Sequence, residues 1–234
     1  MSGIFDTRIE YLKGVGPQKA ELLNKELNIF TYGDMLQHYP FRYEDRTKFF
    51  KIRELNEELE NVQVIARIKK VELIGSGGKK RLVAHVFDET GEMEMTWFKG
   101  IQWIQKKLPA GAALIFFGKP AQFGRKWSMA HPELEPLTAT NEVRNNFQPV
   151  YSTTEKLRMK FLDSRGISKI QEILLPAVYS HIPETLSPEI LHQYQLLGKQ
   201  ESIRQIHFPT APELLHRARK RLKYEEFFYL QSRL

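Results

Sequence analysis

Between residues 61 and 135 the sequence falls into five β-type runs, some of them alternating with a period of two, which restricts the fold more than any other feature. Residues 62–73 make a long, partly alternating run, closed by the turn Gly75-Ser76-Gly77-Gly78. Residues 81–88 make a second, and Glu89-Thr90-Gly91 turns the chain into a third, residues 92–98. The period then changes: Ile101, Ile104 and Leu108 share one face, so residues 100–107 read as a short helix. Pro109-Ala110-Gly111 precedes a fourth run at 112–119, and after Phe123-Gly124-Arg125 a fifth covers 126–130. Three strands, a short helix and two strands follow the order of an OB-fold, whose closure removes the edges of an open sheet. The expected class is α+β, a five-stranded OB-type β-barrel flanked by N-terminal and C-terminal helical segments.

The flanks change character. Segment 1–60 is expected to hold short helices around a glycine turn, Gly14-Val15-Gly16, with Pro17 in the first helical turn, where its missing N–H costs nothing. Such turns resemble helix-hairpin-helix elements, so Gly14, Gly16 and Lys19 form a candidate phosphate-binding turn; a plain packing turn explains the same residues. Thr31 and Asp34 have the spacing of a capping box for a second helix ended by Pro40. Segment 136–234 reads as helical, cut into short pieces by Pro149, Pro176, Pro183, Pro188, Pro209 and Pro212.

Charge narrows the partner. The chain carries net +7, distributed as −2 over residues 1–60, +5 over 61–135 and +4 over 136–234. A basic middle suits a polyanion, because Lys and Arg that neutralise phosphates release counterions. With no cysteine, disulfides and Cys-based zinc sites are excluded, and the seven His show no metal-ligand spacing. No run approaches a membrane span and no signal-peptide pattern opens the chain, so a cytoplasmic location is expected.

Several segments, taken in order, resemble the RecG family of branch-migration helicases: residues 11–17 (YLKGVGP), 39–47 (YPFRYEDRT), His131-Pro132-Glu133, Pro149-Val150-Tyr151, Ile206-His207-Phe208-Pro209 and residues 218–226 (ARKRLKYEE). The resemblance covers nearly the whole chain and is to the N-terminal wedge region, with the last helix similar to the one leading into the family's helicase core. It implies a module that binds branched DNA, such as stalled forks and Holliday junctions, and splits strands while ATP-driven helicase domains of the same polypeptide move the duplex. Those domains would need ATP and Mg2+, whereas no cofactor is expected in these residues: GxxxxGK[ST] is absent, and Gly75-Ser76-Gly77-Gly78-Lys79-Lys80 has the wrong spacing and sits between strands. A stand-alone single-stranded nucleic-acid binder and a protein-docking OB module are the alternative readings.

Phe123 and Trp127 flank the basic turn Gly124-Arg125-Lys126, a combination suited to base stacking, although alternation could send Trp127 into the barrel. Lys79, Lys80 and Arg81, with Lys69 and Lys70 on the preceding strand, are candidate phosphate contacts. Trp97, Phe98 and Trp103 are expected in the core. Arg42, Tyr43, Asp45 and Arg46 are expected to fix the helical segment against the barrel by side-chain hydrogen bonds, and His131 and Glu133 to be structural. Arg217, Arg219, Lys220, Arg221 and Lys223 surround the last helix, some of them expected to face DNA or a further domain. Leu222, Phe227, Phe228 and Leu230 are expected to be partly uncovered there.

Overall fold

The computed structural model describes residues 3–76, 80–124, 126–137 and 147–232, apart from the Phe123 side chain. It divides into two units, Met1–Asp45 with Asn146–Leu234, and Arg46–Asn145. The two helical flanks, read from sequence as separate segments, thus form one unit, and the barrel unit begins before residue 61 and extends past 135.

In the helical unit, α1 (Gly16–Leu27) opens from the glycine turn, with Gly14 at φ +89° and Gly16 at φ +65°, values an L side chain rarely adopts. The expected capping box starts α2 (Tyr32–Gln37): Thr31 Oγ1 accepts from Asp34 N at 3.2 Å, and Asp34 Oδ2 accepts from Thr31 N at 2.9 Å. Strand β1 (Arg42–Asp45) ends the first part of this unit. Its partner lies beyond the whole barrel and is introduced below.

The barrel unit starts with β2 (Phe49–Phe50) and a 3-10 turn, Ile52–Glu54, whose Ile52 and the following Leu55 are core residues of the barrel. Strands β3 (Val62–Ile74), β4 (Arg81–Phe87) and β5 (Glu92–Trp97) form an antiparallel meander. After β5 comes the short helix α3 (Ile101–Gln105), then β6 (Ala113–Gly118), β7 (Pro120–Phe123), β8 (Lys126–Ala130) and β9 (Glu133–Pro136). β6 pairs antiparallel with β3, β8 pairs parallel with β5, and β7 pairs antiparallel with β8. Only Lys119 separates β6 from β7, so one bent strand reaches both ends of the sheet and curls it into an OB-type barrel. Alternation fills the interior with Val64, Ala66, Ile68, Leu82, Ala84, Val86, Met93, Met95, Trp97, Phe116 and Met129.

Three strands of this unit, β2, β7 and β9, were not anticipated. Residues 120–122, given no element from sequence, form with Phe123 the second limb of the bent strand. Glu133–Pro136 adds to the free side of β6 and holds Arg46 through ion pairs to Glu133 and Glu135, with the Arg46 guanidinium 3.6 Å over the Phe117 ring. Its four residues are too few and too polar to announce a strand by period.

The chain returns to the helical unit through β10 (Phe147–Val150), which pairs antiparallel with β1 in the register Arg42↔Val150 to Asp45↔Phe147. This ribbon joins residues more than a hundred positions apart, which local periodicity cannot show. It is followed by α4 (Glu155–Met159), α5 (Ser164–Val178), α6 (Pro188–Gln193), α7 (Lys199–His207) and α8 (Pro212–Ser232). Pro188 and Pro212 stand at helix starts, as proline favours, but Pro176 does not break α5. It lies on the exposed side, two residues before the helix ends, where the lost bond frees the carbonyl of the exposed Glu172 to water. Leu23, Met35, Leu157, Ile167, Leu174 and Val178 form the centre of this unit's core.

Candidate nucleic-acid interface

At the junction of β5 and α3, alternation separates two adjacent aromatics. Trp97 points inward, 2% exposed, its indole Nε1 donating to the Pro132 carbonyl at 3.2 Å. Phe98 therefore points outward and is 53% exposed, its ring centroid 5.5 Å from that of His131, whose Nε2 accepts from Phe98 N at 3.3 Å. Gly100, at φ +68°, turns the chain into α3 and accepts from the N–H groups of Trp103 and Ile104. Ile101 and Ile104 pack against the barrel core, which throws Trp103 to the opposite side of the helix. Trp103 is 74% exposed, with Lys106 Nζ 5.8 Å from its ring centre. Lys99, Lys106 and Lys107 are also exposed. The junction thus presents two uncovered aromatics among three cations. Of the three aromatics expected in the core here, only Trp97 is there.

Of the loop favoured by sequence, the side chains of Trp127 and Lys126 lie within the described residues. Trp127 is half-buried and packs against the barrel core, because its position in β8, opposite Met93 of β5, continues the inner sheet. Lys126 is exposed but pairs with Glu94 at 3.3 Å. Arg125 and the Phe123 side chain lie outside the described residues. At the other hairpin Lys80 and Arg81 are exposed, with Arg81 opposite Ile74, whereas Gly77, Gly78 and Lys79 lie outside the described residues.

Lys69 and Lys70 are consecutive exposed residues, which simple alternation would not allow. A register shift between Ile68 and Lys70 places both outside. Each already has an anion: Lys69 reaches Glu92 at 2.5 Å, and Lys70 pairs with Glu72. Glu72 also accepts from His85 Nε2 at 3.0 Å, and His85 Nδ1 lies 3.6 Å from Glu94. The outer face of β3, β4, β5 and β8 therefore sets lysines and a histidine beside glutamates. Hydrogen bonds from Lys70, then His85, hold the Glu72 carboxyl below its ordinary range, and Lys69 does the same to Glu92. Exposed pairs of this kind are screened by water and contribute little, so a phosphate can compete for the cations.

The glycine turn before α1 closes on itself, since Lys19 Nζ donates to the Gly14 carbonyl at 2.9 Å. That geometry is what a packing turn needs, and it occupies the cation assigned to phosphate. In the polar run around β1, Tyr43 donates to the Ile206 carbonyl within the helical unit, and Arg46 binds Glu133 and Glu135 within the barrel unit. His131 serves Phe98 and Glu133 serves Arg46, the structural roles expected of both.

The basic cluster of α8 divides by helical face. Arg217, Arg219, Lys220 and Lys223 are exposed, with Arg219 4.9 Å from the Tyr43 ring centre and Lys220 donating to the Tyr194 carbonyl at 3.0 Å. Arg221 is fully buried, so it is not among the residues of the cluster that could face DNA or a further domain. It donates to Glu225 at 2.8 Å and to Glu184 at 2.6 Å, while Lys199 Nζ reaches Glu225 at 2.5 Å. Partial burial pushes both carboxyls upward, but the hydrogen bonds each accepts bring them net below their ordinary values. Farther along α8, Leu222 and Phe228 are half-buried, while Phe227 and Leu230 are more than half exposed, as expected of this face.

The family model of the RecG wedge domain matches residues 8–173. The chain belongs to the RecG wedge-domain family. ATP-dependent DNA helicase RecG of Thermotoga maritima is 32% identical over 229 residues, covering 96% of this chain and 28% of the relative. RecG of Streptococcus pneumoniae is 29% identical over 228 residues, covering 97% and 32%. Among solved structures, RecG bound to a three-way DNA junction matches with a TM-score of 0.81 and 31% identity, covering 99% of this chain and 31% of that one. The chain thus spans about a third of the length of these RecG proteins. Among the described residues no helix is long and apolar enough to cross a membrane, and no group of three or more His, Cys, Asp or Glu could hold a metal ion.

Proposed function

We propose that this chain is the strand-separating wedge module of a RecG-type helicase, binding branched DNA through the β5–α3 junction of its barrel. The observation that carries the reading is the pair Phe98 and Trp103, uncovered beside Lys99, Lys106 and Lys107 in a member of the RecG wedge family. A large aromatic held in water forgoes the free energy of burial, and two at one junction suit a surface on which unpaired bases stack. Lys69, Lys70, Lys79, Lys80, Arg81, Arg125 and Lys126 supply phosphate contacts that position the strands without reading sequence. Phe123 remains a candidate third stacking ring, and Trp127 acts mainly as a support for the sheet. Unwinding of forks and Holliday junctions, with ATP and Mg2+ as its fuel, belongs in this proposal to helicase domains of the longer polypeptide, in a bacterial cytoplasm.

Fluorescence anisotropy with a three-way junction, a single strand and a blunt duplex tests the reading. Phe98→Ala with Trp103→Ala should weaken junction and single-strand binding by about 1–3 kcal/mol for each base that no longer stacks, duplex binding much less, and leave the salt dependence nearly unchanged. Lys80→Ala with Arg81→Ala should weaken all three and flatten the salt slope by about 0.9 for each duplex phosphate no longer neutralised. Equal weakening on all three DNAs from the aromatic pair would sink the stacking role. Preference for the single strand over the junction would favour a plain single-strand binder, and salt-dependent binding to none of them a protein-docking module.

A further inference from the structure

The turn between α4 and α5 has features that barrel binding leaves unexplained. Its hydrogen bonds form a Schellman closure: Leu162 N donates to the Leu157 carbonyl at 2.9 Å and Phe161 N to the Arg158 carbonyl at 3.1 Å. In that motif the residue after the cap takes the left-handed conformation and is usually glycine. Here it is Phe161, at φ +60°. A bulky residue in this region sets its Cβ against its own backbone, a local cost that persists only where the surroundings impose it.

The surroundings do impose it. Leu157 and Leu162 are both core residues, and they hold the closure from beneath. Asp163 Oδ1 accepts from Gly166 N at 2.8 Å to start α5, and a Cβ on Gly166 would lie 2.1 Å from the Phe161 carbonyl oxygen. The turn is clamped on both sides. Yet the side chain gives the fold nothing in exchange, since Phe161 is 85% exposed and its neighbour Met159 69%. Glycine would close the same turn without the clash.

The flank supplies the chemistry of a partner. Residues 155–169 contain Lys156, Arg158, Lys160, Arg165 and Lys169 against Glu155 and Asp163. Lys156 pairs with Glu26, and Arg158 Nε donates to Thr153 Oγ1, while Lys160 and Lys169 are not buried. A projecting ring amid an excess of cations offers a face for a base or sugar and charges for the adjoining phosphates. We propose that the Phe161 turn is a second nucleic-acid contact, in the helical unit and separate from the barrel, which grips a strand of the branched DNA. This deepens the wedge reading and rests on it.

The test is Phe161→Gly in the whole 234-residue chain, read by anisotropy on the three-way junction and by thermal unfolding. Thermal stability should rise, because the left-handed position is relieved, while junction affinity falls at least about fivefold, the smaller end of what one stacked base contributes. Phe161→Leu, which keeps apolar bulk without a ring, should also lose affinity, and Arg158→Ala with Lys160→Ala should flatten the salt slope. A stabilised Phe161→Gly chain that binds the junction as tightly as the original overturns the proposal, as does full affinity in Phe161→Leu. The two readings fail differently. No junction binding by the unaltered chain sinks both, whereas weakening with Phe98→Ala and Trp103→Ala but not with Phe161→Gly sinks only this one.

Discussion

Acidification from about pH 7.5 to about pH 5 should weaken the helical unit by about 2 kcal/mol through a single imidazole. His207 is fully buried in α7, its Nε2–H donating to the Leu36 carbonyl at 2.8 Å and its Nδ1 accepting from the Tyr151 hydroxyl at 3.0 Å. Both nitrogens are used in the neutral form, and burial pushes the imidazole down from 6.5 to about 4, with the Leu36 carbonyl opposing and His38 assisting. A folded-state value below the unfolded one means that the unfolded chain binds the proton first. The contribution is therefore complete above about pH 6.5 and disappears as the pH falls toward about 4, reaching about 3 kcal/mol in all. His38, also lowered by burial, adds a change of the same sign. The reporters separate naturally, because all nine tyrosines lie outside residues 46–145 and all three tryptophans lie within them. Urea unfolding followed by tyrosine near-ultraviolet circular dichroism should show the weakening, and His207→Gln, which keeps a donor for Leu36, should remove most of it. An equal pH slope in the two chains would refute the reasoning, whatever the variant's stability at neutral pH.

Arg221→Ala removes the guanidinium that Glu184 and Glu225 share and leaves Lys199 as the cation on Glu225. It should cost the helical unit about 3–5 kcal/mol in urea unfolding, whereas an exposed-surface reading of this arginine expects nearly none. Trp97→Ala should destabilise the barrel by about 3–5 kcal/mol, as removal of a fully buried indole does, and Trp103→Ala by no more than about 0.5 kcal/mol. The thermal midpoints of these two variants, each followed by the remaining tryptophans, decide whether the junction is divided as described.

The barrel was legible because its signals are local. The runs from Val62 to Ala130 either alternate or are continuously apolar, and each turn carries glycine or proline, so strand order and the intervening helix could be read from neighbours alone. The unit boundary was not, because it depends on Arg42–Asp45 meeting Phe147–Val150, and neither segment has a period that names its partner. The same holds for Glu133–Pro136, whose acidic side chains face an arginine from the start of the unit. Local pattern gives elements; pairings between distant segments arise only when the core brings them together.

The interface was harder because a residue type does not state what surrounds it. Lys69, Lys70 and Lys126 count as free cations in a sequence, but strand pairing sets a carboxylate beside Lys69 and Lys126, and Glu72 of the same strand lies beside Lys70. Arg221 sits in a run of basic residues, yet the face it shares with Leu215 and Ala218 turns it inward to two glutamates. The signal that could have found Phe98 and Trp103 was nevertheless present. If Met93, Met95 and Trp97 line the barrel, a period of two puts Phe98 outside; if Ile101, Ile104 and Leu108 face the core, Trp103 cannot. Aromatic rings are usually buried, and weighing that habit above the period hid the junction. Where a large apolar residue falls on the wrong side of a clear period, the period is the better guide, and the residue marks a surface that something else must cover.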